Sequence, residues 1–286
     1  MSSHTGTKAV VAALSANAFI AVTKFAAWAL TGASSMLAEG VHSLADTSNQ
    51  LLLLQGGRAA KRPADAEHPF GYGRARYINA FLVAIILFSL GGLFAVYEAF
   101  EKYEEVTAGH RNELLEGPWW WVPVVVLVAS IAAEAMSFRT ALRESSGPRS
   151  GRGLLRFIRE TKSPELPVIL LEDFAALIGL VFALLGVGLT LLTRNGLWDA
   201  VGTGAIGVLL LTVAVTLAVE IRSLLLGEAA APEVVRQIEQ ALRGAEGVTR
   251  LIHLRTVHVA PEEILVAAKI GVAPTDSAKH VADAID

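Results

Sequence analysis

Ser35-Met36-Leu37-Ala38-Glu39-Gly40-Val41-His42-Ser43-Leu44-Ala45-Asp46 opens a mostly apolar run, 35–55, that is long enough to cross a bilayer. A spanning helix needs roughly 20 such residues. Yet this run carries an imidazole and two carboxylates. Glu39, His42 and Asp46 are spaced by three and four residues, which puts all three on one helical face. An ionisable group at mid-membrane costs about 2.5–3.5 kcal/mol on insertion scales, and such groups are functional candidates by default. No opposite charge stands among them on that face. A visiting cation would stabilise the stripe.

Five further segments of spanning length surround this one: 10–30, 77–100, 119–138, 166–192 and 197–226. Hydrophobic residues make up 53% of the 286. A soluble domain holds roughly 45–50%, and the excess here is concentrated in the runs. Trp119, Trp120 and Trp121 sit where an interfacial aromatic belt is expected, and Trp28 and Trp198 also lie near helix ends.

Loop charge orients the bundle. Arg58, Lys61, Arg62, Arg74 and Arg76 join the second and third segments, and Arg139, Arg143, Arg149, Arg152, Arg156, Arg159 and Lys162 join the fourth and fifth. The connection between the third and fourth is rich in glutamate instead. The Lys/Arg excess marks the cytoplasmic side, so both termini are expected there. The residues from Met1 to Lys8 lack the pattern of a signal or transit peptide. A net charge of -3 gives no basis for a nucleic-acid partner. The chain has no cysteine, so a bound metal must sit on oxygen and nitrogen.

The character changes after Gly227, dividing the chain into 1–227 and 228–286. Val234, Val235, Ile238 and Leu242 recur at helical spacing behind Pro232, a good helix-start residue. The stretches 251–259 and 264–272 read as strands, with Pro261, Glu262 and Glu263 in the turn. Asp276 suits the cap of a second helix from Ser277. Such a unit wants one more strand, so this domain is expected to be truncated at Asp286.

The fifth segment supplies Glu172 and Asp173. Adjacent helical residues point about 100° apart, so at most one of them faces the second helix squarely. His42, Asp46 and such a carboxylate form a nitrogen-and-oxygen set suited to tetrahedral zinc, with Glu39, the second carboxylate or water as a fourth group. The same set accepts manganese, iron or cobalt. Metal binding needs neutral imidazole and ionised carboxylates, so protons leave as metal arrives. The competing reading pairs these groups with Lys24 or Asn17 and makes them packing devices. For Glu98, Glu134 and Glu220 an interfacial or structural role is favoured.

Residues 34–46 resemble the second helix of the cation diffusion facilitator family, with His42 and Asp46 at its two ligand positions. His68-Pro69-Phe70-Gly71-Tyr72-Gly73-Arg74 is similar to its cytoplasmic loop signature, and Asn17 and Lys24 fit its first helix. The family commonly has a second His-plus-Asp pair in its fifth helix. Here Asp173 matches the Asp, while Ile169 stands in the His position. Leu170-Leu171-Glu172-Asp173 and Arg76-Tyr77-Ile78 resemble the branch that includes the mitochondrial zinc transporters of animals. Tyr72 stands where the loop usually has a second His, which favours a loop role for His68.

The resemblance implies a six-helix transmembrane bundle with a C-terminal cytoplasmic ferredoxin-like α/β domain, assembled as a homodimer in a lipid bilayer, the plasma (inner) membrane being the expected one. It implies a zinc/proton antiporter whose metal residues are His42, Asp46 and Asp173, with Glu172 and Glu39 as further candidates. His253, His258 and His280 in the cytoplasmic unit read as solvated or weakly metal-binding. A metal-responsive sensor on the same scaffold, without net flux, is the other reading. A metalloenzyme would need a general base beside a metal-bound water, and no His-Glu-x-x-His helix is present. Gly202-Thr203-Gly204-Ala205-Ile206-Gly207 matches a dinucleotide fingerprint by letter, but inside a spanning segment its small residues serve helix packing.

Overall fold

The computed structural model describes residues 3–110, 113–149, 153, 161–275 and 277–285. Its first two helices, α1 (Ser3–Thr31) and α2 (Ser34–Ala59), are joined by a tight turn in which Gly32 takes a positive φ of 59°. The third span is built of α3 (Ala75–Ile86), a π-helical turn over Leu87–Leu93 and α4 (Phe94–Thr107). After the short α5 (Glu113–Glu116) come α6 (Val122–Arg149), α7 (Glu165–Thr193) and α8 (Leu197–Leu226). The Trp119–Trp121 triplet lies in the turn that enters α6.

Among the described residues, Ala75–Thr107, Val122–Ser146, Glu165–Thr193 and Leu197–Leu226 are long and apolar enough to cross a membrane. At 26 residues α2 is also long enough, but the polar face that carries Glu39, His42, Asp46 and Asn49 leaves it far less apolar than α7. Together with α1 these helices make the six-helix bundle. Its outward surface is greasy, with Phe19, Met136, Leu192 and Val208 all more than 60% exposed. That is the pattern expected when lipid rather than water is the solvent. The interior packs Met36, Val83, Leu87, Leu180, Val187, Ile206 and Leu210 between α2, α3, α7 and α8.

Small residues let these helices approach. A Cβ at Gly202 would lie 2.9 Å from the Phe182 carbonyl oxygen on α7, and one at Gly207 would lie 2.8 Å from the Val96 amide nitrogen on α4. The fingerprint-like glycines are therefore contact points between spanning helices.

Beyond the bundle, α9 (Pro232–Gly244) precedes an antiparallel hairpin of β1 (Arg250–Ala260) and β2 (Glu263–Gly271), followed by α10 (Ala278–Ile285). Thr256 faces Val266 and Val257 faces Leu265 across the ladder. The hairpin turn sits against the loop between α2 and α3, where a Cβ on Gly73 would fall 2.3 Å from the Cβ of Ala260. An ion pair from Lys162 to Glu228 and a 2.9 Å bond from the His258 amide to the Glu228 carbonyl tie the same end together. Two strands are present among the described residues. Asp276, the side chain of His280 and the basic residues Arg152, Arg156 and Arg159 lie outside them.

Candidate metal site

His42 projects from the middle of α2 with 1% of its surface exposed. Its Nε2 lies 3.6 Å from Oδ2 of Asp46, one turn on. Neither imidazole nitrogen has a hydrogen-bond partner, and Asp46 Oδ1 has none. Buried polar atoms are normally satisfied, and each exception asks for an explanation. Here the unsatisfied atoms are two nitrogens and an oxygen, the donor types a divalent transition metal takes.

From α7, Glu172 reaches the same place. It lines one cavity with Asp46, and its Oε1 accepts from Asn49 Nδ2 at 2.8 Å. Asp173 is turned the other way, as the 100° step between neighbours requires. Its Oδ2 accepts from Ser137 Oγ of α6 at 3.1 Å. Among the described residues no three His, Asp or Glu side chains converge to hold an ion in this conformation.

Glu39 has a different neighbour. Lys24 of α1 crosses to the stripe, and its Nζ lies 2.8 Å from Glu39 Oε2 and 2.8 Å from Ser43 Oγ, all of it buried. The opposite charge missing from the helical face itself thus comes from the adjoining helix. The second oxygen, Glu39 Oε1, has no partner. It points at α7, where only the lack of a side chain at Gly179 leaves it room: a Cβ there would be 3.0 Å away.

A cavity of about 1140 Å³ connects this site to one end of the bundle. Asp46, Glu134, Glu172 and Asp173 line it beside Asn17 and Ser43. It extends past Arg58, Lys61 and the ion-paired Arg76 and Glu165 to Glu262 in the hairpin turn and Glu263 at the start of β2. His42 lies behind Asp46. Glu134 therefore faces the same water-sized path as the stripe, although its sequence position suggested an interfacial or structural role.

The loop after α2 is held by hydrogen bonds to the Asp65 carboxylate. Asp65 Oδ1 accepts from the amides of His68 at 2.7 Å and Glu67 at 3.1 Å, while Tyr72 donates its hydroxyl to Oδ2 at 2.6 Å. Arg62 lies 4.1 Å over the Tyr72 ring, and the His68 ring stacks on it at 4.3 Å. The Tyr72 hydrogen bond, then those from the His68 and Glu67 amides, hold the Asp65 carboxyl below its ordinary range, and the same contact raises the Tyr72 phenol. In the hairpin, His253 Nε2 accepts from Arg255 Nε at 2.8 Å, and buried His258 has Nδ1 3.3 Å from the Ala260 carbonyl oxygen.

Sequence reasoning missed Asn49, Ser137 and Ser43 as partners of the acidic groups. Asn49 carried a signal, since it lies seven residues after His42, two turns along the same face.

The family model described as the cation efflux transmembrane domain matches residues 10–226. The human proton-coupled zinc antiporter SLC30A9, mitochondrial, is 32% identical over 248 residues, covering 86% of this chain and 42% of that protein. Metal tolerance protein C4 of Arabidopsis thaliana is 27% identical over 265 residues, covering 92% and 56%. The cation-efflux pump FieF of Pectobacterium atrosepticum is 34% identical over 134 residues, covering 46% and 43%. The chain thus spans about half the length of the curated relatives it matches, or less. The matched region runs from α1 to the end of α8, and with that coverage the chain belongs to the cation efflux family.

Proposed function

We propose that this protein exchanges zinc for protons across its membrane by alternating access, with His42, Asp46, Glu172 and Asp173 as the residues that take the ion. The observation that carries this reading is the set of unpartnered buried atoms, His42 Nδ1 and Nε2 and Asp46 Oδ1, at the inner end of a carboxylate-lined cavity. Metal takes neutral imidazole and ionised carboxylates, so protons leave the site as it binds, and Asp173 swings from Ser137 to complete the set. Protons bound from the opposite side return the site to the arrangement described above. Binding a divalent ion to deprotonated ligands couples the two fluxes through one site. Glu39, held by Lys24, balances charge beside the site.

The positive-inside pattern supports a cytoplasmic position for both termini and for the open end of the cavity, so zinc loads from the cytoplasm. The names of the SLC30A9 relatives carry a mitochondrial address, while the sequence pointed to a plasma (inner) membrane. Both are membranes energised by protons, which is the requirement of the exchange. The working unit is inferred to be a homodimer.

The test is zinc uptake by proteoliposomes under an imposed pH gradient, with His42→Ala and Asp46→Ala beside the wild type. Gradient-driven uptake lost in both folded variants is the expected result. Full uptake by Asp46→Ala would remove the site assignment, and wild-type uptake of manganese, iron or cobalt in preference to zinc would replace the substrate.

A further inference from the structure

The end of the bundle away from the hairpin is closed by one carboxylate. Asp199, in the first turn of α8, is fully buried, as are Ser34, Ser35 and Thr203 around it. Its Oδ2 accepts from the Ser34 amide at 2.8 Å and the Ser34 hydroxyl at 3.1 Å. Its Oδ1 accepts from the Ser35 amide at 3.4 Å and the Ser35 hydroxyl at 2.5 Å. Thr203 Oγ1 lies 3.0 Å from Ser34 Oγ and donates to the Asp199 carbonyl at 2.9 Å, closing the knot.

Ser34 and Ser35 are the first two residues of α2. The cap position belongs to Ala33, which has no side chain able to bond the free amides. Helix starts leave such amides unpaired and partly positive, and an acidic side chain is the natural partner. In this chain the partner comes from a different spanning helix, 164 and 165 residues away in sequence. One carboxylate therefore caps α2 and ties it to α8. Inward from the knot, Met36, Glu39 and His42 expose at most 1% each. The cavity at the hairpin end reaches the stripe at Ser43 and Asp46.

We propose that Asp199 is a positioning residue for transport: by clamping the first turn of α2 to the first turn of α8 it seals the far end of the bundle and fixes the height of His42 and Asp46 above that seal. This rests on the exchange reading above. In an alternating-access cycle the ion leaves past this clamp, so the clamp sets which side the site can see. Cutting it lets the site open to both sides and uncouples metal from protons.

The chain has no cysteine, so a single Met36→Cys thiol reports on the sealed side. In the full-length, detergent-solubilised protein, Met36→Cys is expected to react slowly with a membrane-impermeant maleimide. Adding Asp199→Ala speeds the reaction by roughly tenfold or more, a size typical of coupled conformational equilibria. Asp199→Asn, which keeps one acceptor oxygen, falls between. Because Asp199→Ala also strips a helix cap, Ala33→Ser is added to it to supply a cap in cis. The melting temperature then recovers, the thiol stays fast, and in proteoliposomes zinc runs down its own gradient without a pH gradient. Slow labelling in Asp199→Ala, or restored slow labelling and coupled exchange in Asp199→Ala/Ala33→Ser, would overturn the clamp and leave only a cap. Failure of the wild type to exchange zinc for protons would instead sink the exchange reading, with the labelling contrast still deciding the clamp.

Discussion

Asn49 and Glu172 meet across the interface of α2 and α7, with the amide Nδ2 donating to Glu172 Oε1 at 2.8 Å while Asn49 Oδ1 has no partner. The bond ties Glu172 to the face of α2 that carries Asp46. Residues that orient metal-binding side chains are typically worth 10–100-fold in affinity. Asn49→Ala is therefore expected to raise the zinc Kd by roughly tenfold or more. Calorimetric titration of the purified protein measures it. Unchanged affinity would mean that Glu172 needs no orientation from α2.

The Lys24–Glu39 pair gives a prediction in which two changes are milder than one. Removing one partner of a buried ion pair strands the other charge, at a cost of roughly 3–5 kcal/mol. Lys24→Met should lower the melting temperature sharply, and Lys24→Met/Glu39→Gln should recover most of the loss. Zinc binding that survives in the double variant assigns Glu39 to charge balance. Binding lost in Glu39→Gln alone makes it a ligand after all.

A third prediction concerns pH at the α2–α3 loop. The Asp65 carboxyl is held below its ordinary value by Tyr72 and by the His68 amide. Its support of the loop is present above the ordinary carboxylate range and is lost as pH falls through the lowered value. Tyr72→Phe removes the largest of these bonds, so the Asp65 titration moves upward. Carboxyl NMR of the labelled protein reads the shift directly. A titration that stays put in Tyr72→Phe would assign the lowering to the backbone amides.

Gly73 is the contact between bundle and hairpin that tolerates least. Gly73→Ala puts a methyl group 2.3 Å from Ala260 Cβ and 3.3 Å from the Val259 carbonyl oxygen. Overpacking of this kind costs typically 1–3 kcal/mol. The hairpin turn is expected to lift, and proteolysis near Pro261 to accelerate. Ala260→Gly in the same chain should reverse much of that.

The bundle was legible because its cause is written locally. Long apolar runs, the tryptophans before α6 and the three-and-four spacing of Glu39, His42 and Asp46 each follow from one segment of sequence. The hairpin was legible for the same reason, since Pro261 and the alternating runs around it need no distant partner. What sequence hid was pairing across helices. Lys24 stood as a possible partner of the stripe, but which of Glu39, His42 and Asp46 it reaches is set by how α1 packs on α2. The choice between Glu172 and Asp173 depends on how α7 is rotated, which is set by contacts such as Gly179 against Glu39 Oε1. Nothing in the sequence around Asp199 points to Ser34 and Ser35, which lie on another helix 165 and 164 residues away.

The π-helical turn at Leu87–Leu93 has a consequence for chain length. A π turn holds one residue more than the α-helix on either side needs. That surplus lets α3 and α4 keep their own faces, and it sets Gly91 and Gly92 against Leu210 and Leu211 of α8. Deleting a single residue between 87 and 93 would convert the turn to regular helix and leave both flanks facing their present neighbours. The same deletion elsewhere in the span would rotate everything beyond it by about 100°. Evolution can therefore shorten this span by one residue at one place only, and homologues that lack the insertion should align with their gap there.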